Sequence, residues 1–222
     1  MRMTGEQAKA GATASPEARR GRERDGRKRI LAAAAELFAE HGFDSVSTAE
    51  IARAAGSSQS VVLYHFETKD ELWRQAMRDL IGRIDTRHTL NMDEYSDLPL
   101  EARFKVLLRR YVISSAKVPQ LGRVMFREGL SGGERLKWLL RELGSPQYSP
   151  LRQLISQLQE QGRLKEWDPV ALTLSIHGAG AMIYNSHHMM QQMAHRDPFS
   201  DEAVRQHADM LVAAFGSLLD RD

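Results

Sequence analysis

Apolar side chains recur along this chain at the three- and four-residue spacing of an amphipathic helix, beginning near residue 27. The first such face, over residues 27–40, consists of Ile30, Ala34, Leu37 and Phe38. Gly42 follows at the position where helices commonly end in a left-handed glycine. The alternation of apolar and polar residues that marks a half-buried strand is missing from the sequence. The pattern therefore predicts an all-α protein.

Capping signals divide the next part of the chain into short helices. The segment STAE at residues 47–50 is a capping box that begins a second helix, which we expect to reach Ala55. Gly56 permits a tight turn, and Ser57 is the expected cap of a third helix that ends near His65. A second capping box, TKDE at residues 68–71, begins a longer fourth helix. Three short helices with a glycine turn before the third are typical of a helix-turn-helix, although plain helical bundles also contain this pattern.

The same spacing predicts a larger helical body after residue 99, with helices over residues 100–111, 119–133 and 151–162. Asp168 and Pro169 are a favourable N-cap and first helical residue, and the helix that they open is apolar on nearly every side. A last helix spans residues 204–219. A helix that is apolar all round must be buried all round. We therefore expect these last two helices to form a four-helix bundle with their copies in a homodimer, the alternative being a wholly internal core helix.

The expected recognition helix supplies candidate residues for reading DNA. A major groove about 12 Å wide admits one helix, whose first residues meet the base edges. These residues are Ser58, Gln59, Ser60 and Val61. A Gln amide can bond an adenine edge at two points, Ser suits several bases, and Val can contact a thymine methyl group.

Phosphate contacts are expected around this helix. Tyr64 and His65 lie one turn later, and Lys69 follows the Thr68 cap, where its charge and the free amides of the helix start would hold a phosphate together. The predicted DNA-binding set is completed by Arg27, Lys28 and Thr48.

Charge is unevenly distributed along a chain whose formal net charge is only +2. Nine Lys or Arg residues and four Asp or Glu residues lie within residues 1–29. Such a basic arm is a common mark of nucleic-acid binding, and it is equally typical of a solvated tail. Because no bulky apolar residue follows Met3 in this segment, we expect residues 1–26 to be disordered. The predicted domains are this arm, a DNA-binding head at residues 27–74 and a ligand-binding and dimerisation domain at residues 75–222.

Composition excludes several classes of chemistry. The chain has no cysteine, so disulfides and thiol catalysis are impossible. The longest segment free of Asp, Glu, Lys and Arg, residues 169–195, is too rich in His, Asn, Gln and Ser for a membrane span, and an apolar leader is missing, so we expect a cytoplasmic protein with no membrane partner. His187 and His188 are adjacent rather than one turn apart, which does not match a metal-ligand spacing. We predict no catalytic residue, no metal and no cofactor.

Large apolar side chains on several of the predicted body helices are candidates for a ligand cavity, although each also fits a plain core position. Their spacing would direct them into one bundle interior, where flexible Met can line irregular gaps. The set comprises Phe104, Tyr111, Met125, Phe126, Trp138, Met182, Tyr184 and also His177, whose neighbours Gly178 and Gly180 allow close helix approach. Arg127 and Glu128 are candidates for a polar contact to a ligand, with a surface ion pair as the default.

Five ordered segments of the chain closely resemble the DNA-binding domain of the TetR family. They are ILAAAAELFAEHGF at residues 30–43, STAEIA at 47–52, AAG at 54–56, LYHF at 63–66 and KDEL at 69–72. The resemblance covers about residues 27–75. It implies a dimeric repressor that binds operator DNA, with a C-terminal domain that binds a small-molecule inducer and moves the two heads apart. Two positions depart from the family pattern: Gln59-Ser60 replaces the usual Lys-Gly or Lys-Pro pair, and Leu63 replaces an aromatic residue. Both lie where operator preference is set.

Two other functions compete with a ligand-responsive repressor. A helical enzyme would use His177 or the pair of His187 and His188, but the sequence offers no triad order, phosphate loop or paired-carboxylate motif. The other is a DNA-binding regulator or adaptor without a small-molecule ligand. An adaptor that no longer binds DNA is disfavoured because Lys69 and the basic arm are present.

Overall fold

Every regular element in the computed structural model, which describes residues 16–84, 95–143 and 150–220, is helical, and this confirms the all-α prediction. The helices are α1 Pro16–His41, α2 Thr48–Ala54, α3 Gln59–Phe66, α4 Lys69–Arg83, α5 Leu100–Lys117, α6 Pro119–Ser131, α7 Glu134–Leu143, α8 Pro150–Glu160, α9 Pro169–Asn185, α10 His187–Ala194 and α11 Asp201–Gly216, followed by a 3₁₀ turn, Ser217–Asp220. We call α1–α4 the head and α5–α11 the body.

The first helix is much longer than its apolar pattern predicts. Residues 16–26, expected to be disordered, form the first part of α1, while residues 1–15 lie outside the described residues. Arg and Glu have high helix propensity, so a helix nucleated by the buried part of α1 continues into a segment without an apolar face. The predicted end is confirmed. The Gly42 N–H donates to the Phe38 carbonyl oxygen at 3.0 Å, and Gly42 has a φ of 83°.

One hydrophobic core joins the four head helices to α6 and α7. Its fully buried members include Phe38, Ile51, Phe66 and Trp73 from the head. The body contributes Val118, Leu121, Val124, Trp138 and Leu139 to the same cluster. The predicted boundary between residues 74 and 75 falls inside α4, which is one continuous helix. The head is therefore packed on α6 and α7 rather than tethered to them.

A second core lies among α5, α8, α9 and α11 and includes Phe104, Leu108, Ile155, Ile176 and Tyr184. It encloses the imidazole of His207, whose Nε2 lies 3.1 Å from the Ala179 carbonyl oxygen and whose Nδ1 lies 3.1 Å from the Tyr184 hydroxyl. A carbonyl accepts only, so Nε2 carries the proton and the Tyr184 hydroxyl donates to Nδ1. Burial lowers the pKa of His207, consistent with a neutral ring.

The outer faces of α9 and α11 exclude the alternative of a wholly internal core helix. The helix opened by Asp168 is not buried on every side within the subunit. Val170, Leu174 and Met182 are 55%, 64% and 49% exposed, and Met210 of α11 is 60% exposed. Leu211, by contrast, is buried in the subunit's own core. Two short helices, α7 and α10, were not predicted. No residue of α10 is buried.

Candidate nucleic-acid interface

The helix-turn-helix begins with a complete capping box on α2. The Glu50 N–H donates to the Ser47 hydroxyl at 3.1 Å, and the Ser47 N–H donates to the Glu50 carboxylate at 2.7 Å. The Glu50 carboxylate also accepts from the Ser47 hydroxyl at 2.7 Å. The two bonds that the carboxylate accepts, first from the Ser47 N–H and then from the Ser47 hydroxyl, lower the pKa of Glu50. An ionised carboxylate at a helix N-terminus also interacts favourably with the helix dipole. The predicted box at residues 47–50 is confirmed.

The turn between α2 and α3 has the predicted glycine and a cap one residue later than expected. Gly56 has a φ of 61°, in the left-handed region. The N-cap of α3 is Ser58 rather than Ser57. Its backbone is extended, and its hydroxyl accepts from the Val61 N–H at 3.4 Å. The Ser57 N–H instead closes the end of α2 by donating to the Ala52 carbonyl oxygen at 2.8 Å.

The two faces of α3 are sharply different. Val62 and Phe66 are buried and anchor the helix to the head. The opposite face is open to solvent and consists of Gln59, Ser60, Val61, Leu63 and Tyr64, the last being 78% exposed. The Gln59 amide nitrogen donates to the Thr48 hydroxyl at 3.0 Å, which ties the starts of α2 and α3 together. His65 is half-buried, with its ring between those of Tyr64 and Phe66.

The start of α4 places a cation beside free backbone amides. Thr68 caps the helix by accepting from the Glu71 N–H at 3.1 Å. Only this half of the predicted second box forms, because the Glu71 carboxylate accepts from the Gln75 amide instead. The Lys69 ammonium lies 4.3 Å above the Phe43 ring. This contact orients the charge without neutralising it.

Phe43 has a role at this surface that was not predicted from the sequence. The Arg135 guanidinium also lies over its ring, at 4.2 Å, so cations from α4 and α7 both meet one aromatic side chain that directly follows α1. The available signal was local, since an apolar residue after a C-terminal glycine commonly packs back on its helix. Phe43 indeed stacks on Phe38, with ring centroids 5.7 Å apart.

At the other end of the head, α1 contacts the end of each of the two helices in the helix-turn-helix. The Arg27 guanidinium lies 5.2 Å from the Phe66 ring of α3 and donates to the Gln75 side chain of α4. Arg29 Nε donates to the Ala55 carbonyl oxygen at the end of α2, at 3.4 Å. Lys28 is exposed. The predicted DNA-binding residues are thus all located in the head.

Side chains of α6 form hydrogen bonds to the C-terminal half of α1. Arg127 Nη2 donates to the Glu40 carbonyl oxygen at 2.9 Å, and the Gln120 amide donates to the Glu36 carboxylate. Glu128 is not part of a surface ion pair, the default expected from sequence. It is 4% exposed, and both its oxygens accept from Arg135 Nε, at 3.1 and 3.2 Å.

The predicted ligand-binding residues are not brought together in one interior, and that expectation is wrong. Phe126 and Met182 are 64% and 49% exposed. Met125 and Trp138 belong to the core that includes the head, while Phe104 and Tyr184 belong to the second core. Tyr111 is half-buried and stacks on the exposed His177, with ring centroids 4.7 Å apart. Helical spacing predicts which face of its helix a residue occupies. It does not predict which other helix packs against that face.

Two concavities lie outside the second core. One of about 770 Å³ is a groove on the head between α1 and α2, with Leu37, His41, Val46 and Arg53 in its lining. The other, of about 260 Å³, is a cleft between α4 and the turn that joins α6 to α7, with Trp73 and Trp138 in its lining.

Two further properties concern only the part of the chain that the structure describes. It contains no group of three or more His, Cys, Asp or Glu side chains that could hold a metal ion. None of its helices is long and apolar enough to cross a membrane.

The fold and the exposed face of α3 define a helix-turn-helix DNA-binding regulator. Residues 30–76 match the family model described as bacterial regulatory proteins, tetR family. Residues 99–214, more than half of the chain, match the model described as tetracyclin repressor-like, C-terminal domain. The chain belongs to the TetR family of bacterial transcriptional regulators, as its sequence predicts.

Individual relatives are distant. The chain is 28% identical to the HTH-type transcriptional regulator RutR of Escherichia coli K12 over 110 residues, which span 50% of this chain and 50% of RutR. A TetR family transcription regulator from Marinobacter aquaeolei VT8 has a TM-score of 0.65 at 17% identity, covering 88% of this chain and 97% of that one. The fatty acid degradation regulator FadR from Bacillus halodurans has a TM-score of 0.56 at 19% identity, covering 90% and 96%. Both of these structures share the fold of this chain over most of its 222 residues.

Proposed function

We propose that this chain is a ligand-responsive transcriptional repressor that binds palindromic operator DNA as a homodimer and is released by a small-molecule inducer. The observation that carries the proposal is the row of exposed side chains on α3, held outward by the buried Val62 and Phe66. A helix presented in this way fits a major groove. In this proposal residues 27–74 act as the DNA-binding part and residues 75–222 as the ligand-binding and dimerisation part, in the bacterial cytoplasm where the operator is.

Base reading is assigned to the start of α3. Gln59, Ser60 and Val61 are exposed there, and Ser58 precedes them at the cap. A Gln amide in the groove would exchange its bond to the Thr48 hydroxyl for an adenine edge, which leaves that hydroxyl free for a phosphate. Phosphate contacts are assigned to Thr48, Tyr64, His65, Lys69, Arg27 and Lys28.

The exposed faces of α9 and α11 support a homodimer. Val170, Leu174 and His177 follow one another at i, i+4 and i+7 and form a solvent-exposed stripe on α9. Met210 gives α11 an apolar position of the same kind. Two such helices from each subunit would cover these faces in a four-helix bundle. Two-fold symmetry then matches a palindromic operator, whose half-sites lie about 34–36 Å apart.

Release of DNA is assigned to α6, because this helix holds α1 through Gln120 and Arg127. Arg123 lies between them on the same helix face, with Nη2 3.2 Å from His187 Nδ1 at the start of α10. A ligand that moved α6 would therefore change the angle of the head. By mass action, such a ligand shifts the equilibrium only as far as it prefers the released state.

The inducer contact is assigned to the junction of α6 and α9. Arg123 Nε and Asn185 Oδ1 are buried there, and neither has a hydrogen-bond partner among the described residues. An unpaired buried polar group costs about 1–3 kcal/mol, which a polar group of a ligand would recover.

A gel shift with DNA from upstream of the protein's own coding sequence tests both parts of the proposal. We expect a complex that resists an excess of random DNA and that dissociates when a small-molecule extract of the source cells is added. If the complex forms but no extract or compound weakens it, the chain is a DNA-binding regulator without a small-molecule ligand. If specific and random DNA compete equally, operator binding is ruled out.

A further inference from the structure

The first part of α1 projects from the head as a basic helix. Residues 20–29 include six Lys or Arg and two acidic residues. Every residue of this segment is exposed except Gly26, which is half-buried. Ile30, at 0% exposure, is where α1 enters the core. At about 1.5 Å per residue, residues 16–29 extend the helix by about 20 Å. We call residues 20–28 the basic extension.

The cations of the basic extension are concentrated on one side of the helix. Arg20, Arg24 and Arg27 follow one another at i, i+4 and i+7, the spacing of a single helix face, and Lys28 follows Arg24 by four residues. The next position on this face is Leu31, which is buried in the head. The basic face is therefore a continuation of the face with which α1 packs against the other head helices.

The base of the extension lies beside the helix-turn-helix. Arg27 reaches the Phe66 ring at the end of α3, and Arg29 reaches the Ala55 carbonyl oxygen at the end of α2. The extension thus starts where the recognition helix ends. DNA bound by α3 would carry its sugar-phosphate strands past this point.

We propose that the basic extension binds the DNA backbone beyond the base pairs that α3 reads and so lengthens the operator contact. The inference rests on the proposed operator binding. Residues 20–29 contain no apolar side chain, so packing them against a protein surface would gain little hydrophobic free energy. A polyanion, by contrast, pairs with every cation of the stripe and releases counterions as it does so. The contact is independent of sequence, because phosphates carry no base information.

The test uses the full chain and the double variant Arg20→Gln, Arg24→Gln, which leaves Arg27 and Lys28, the cations already assigned to the operator contact, unchanged. Each protein is titrated against two duplexes, the operator alone and the operator with about ten added base pairs on each side, over a range of salt concentrations. On the short duplex we expect the two proteins to bind equally well. On the long duplex the variant should bind more weakly, and its log–log salt slope should be shallower by about 1.8 per subunit, since each phosphate contact contributes about 0.9.

A matched control removes two exposed cations of the body, Arg152→Gln and Lys165→Gln. It should bind the long duplex as the wild type does. Equal affinity and slope for the double variant and the wild type on the long duplex would overturn the proposal. An equal loss in the body control would also overturn it, by showing a general effect of net charge. Failure of the wild type to bind either duplex would instead refute operator binding itself.

Discussion

Arg127 of α6 donates from Nη2 to the main-chain oxygen of Glu40 at 2.9 Å, which places a body cation on the C-terminal end of α1. The position is electrostatically favourable because carbonyl oxygens at a helix end carry a partial negative charge. Gly42 leaves the room for this contact. A methyl group at residue 42 would lie 2.9 Å from Arg127 Cδ, and the φ of 83° there strains any other L-residue. The junction of head and body therefore depends on a glycine and an arginine together.

Gly42→Ala should lower the free energy of unfolding by more than 1 kcal/mol, because a left-handed alanine costs about 1 kcal/mol and the Arg127 side chain must also move. Urea denaturation of the wild type and the variant measures the difference. Gly82→Ala is the matched control. Gly82 lies inside α4 with no atom near an added methyl group, so alanine there should stabilise the protein by up to about 1 kcal/mol. If Gly42→Ala had the same free energy of unfolding as the wild type, the close approach of Arg127 to Gly42 would not stabilise the junction of head and body.

Gln59→Ala should change which base is preferred at one operator position, at a cost of about 1–3 kcal/mol for the original base. The expectation follows from the exposed position of Gln59 at the start of α3. Binding to a set of operators, each altered at one base pair, measures it by fluorescence anisotropy. If both affinity and preference stay as in the wild type, α3 does not lie in the groove as proposed.

Lys69→Ala should weaken binding to all sequences alike and reduce the log–log salt slope by about 1, since one phosphate contact is lost. The Phe43 ring below the ammonium keeps its other cation, Arg135, so the head should stay folded. The same anisotropy assay, repeated at several salt concentrations, separates this effect from that of Gln59. A change in base preference at Lys69→Ala would contradict the assigned role.

Leu174→Arg, or Met210→Arg, should convert the dimer to monomers, because a charge would be buried without a partner at the subunit interface. Both side chains are exposed in the single subunit, so its own fold should be retained. Sedimentation velocity gives the mass, and Leu140→Arg, at an exposed position of α7, is the control that should remain dimeric. A dimer of unchanged strength would place the interface on other helices.

Arg135→Met should destabilise the fold by about 3 kcal/mol, the lower end of the range for one partner of a buried pair, since Arg135 keeps 28% of its side chain exposed. The Glu128 carboxylate would then be buried without its cation. The double variant Arg135→Met, Glu128→Met should recover most of the loss, because no buried charge is left. Urea denaturation that found the double variant no more stable than the single one would contradict this explanation.

Local signals in the sequence predicted local structure well. The capping box at Ser47 and the cap at Asp168 need only hydrogen bonds to residues three positions away, and both form. Ser57 and Ser58 have the same propensity, so only the backbone itself distinguishes the true cap. Helical spacing could not assign neighbours. Phe126 and Leu211 are both large apolar residues of predicted helices, yet one is exposed and the other is buried. The partner of a face is decided by tertiary packing.

Selection of bound sequences from a pool of randomised duplexes tests the central claim most directly. The full-length protein is mixed with the pool, bound duplexes are recovered through several rounds, and the enriched sequences are read. We expect an inverted repeat whose half-sites are about one helical turn, or a small multiple of it, apart, because two symmetric recognition helices enter the major groove on one side of the DNA. Recovery of sequences with no shared repeat, at an affinity equal to that for the starting pool, would contradict an operator-binding dimer.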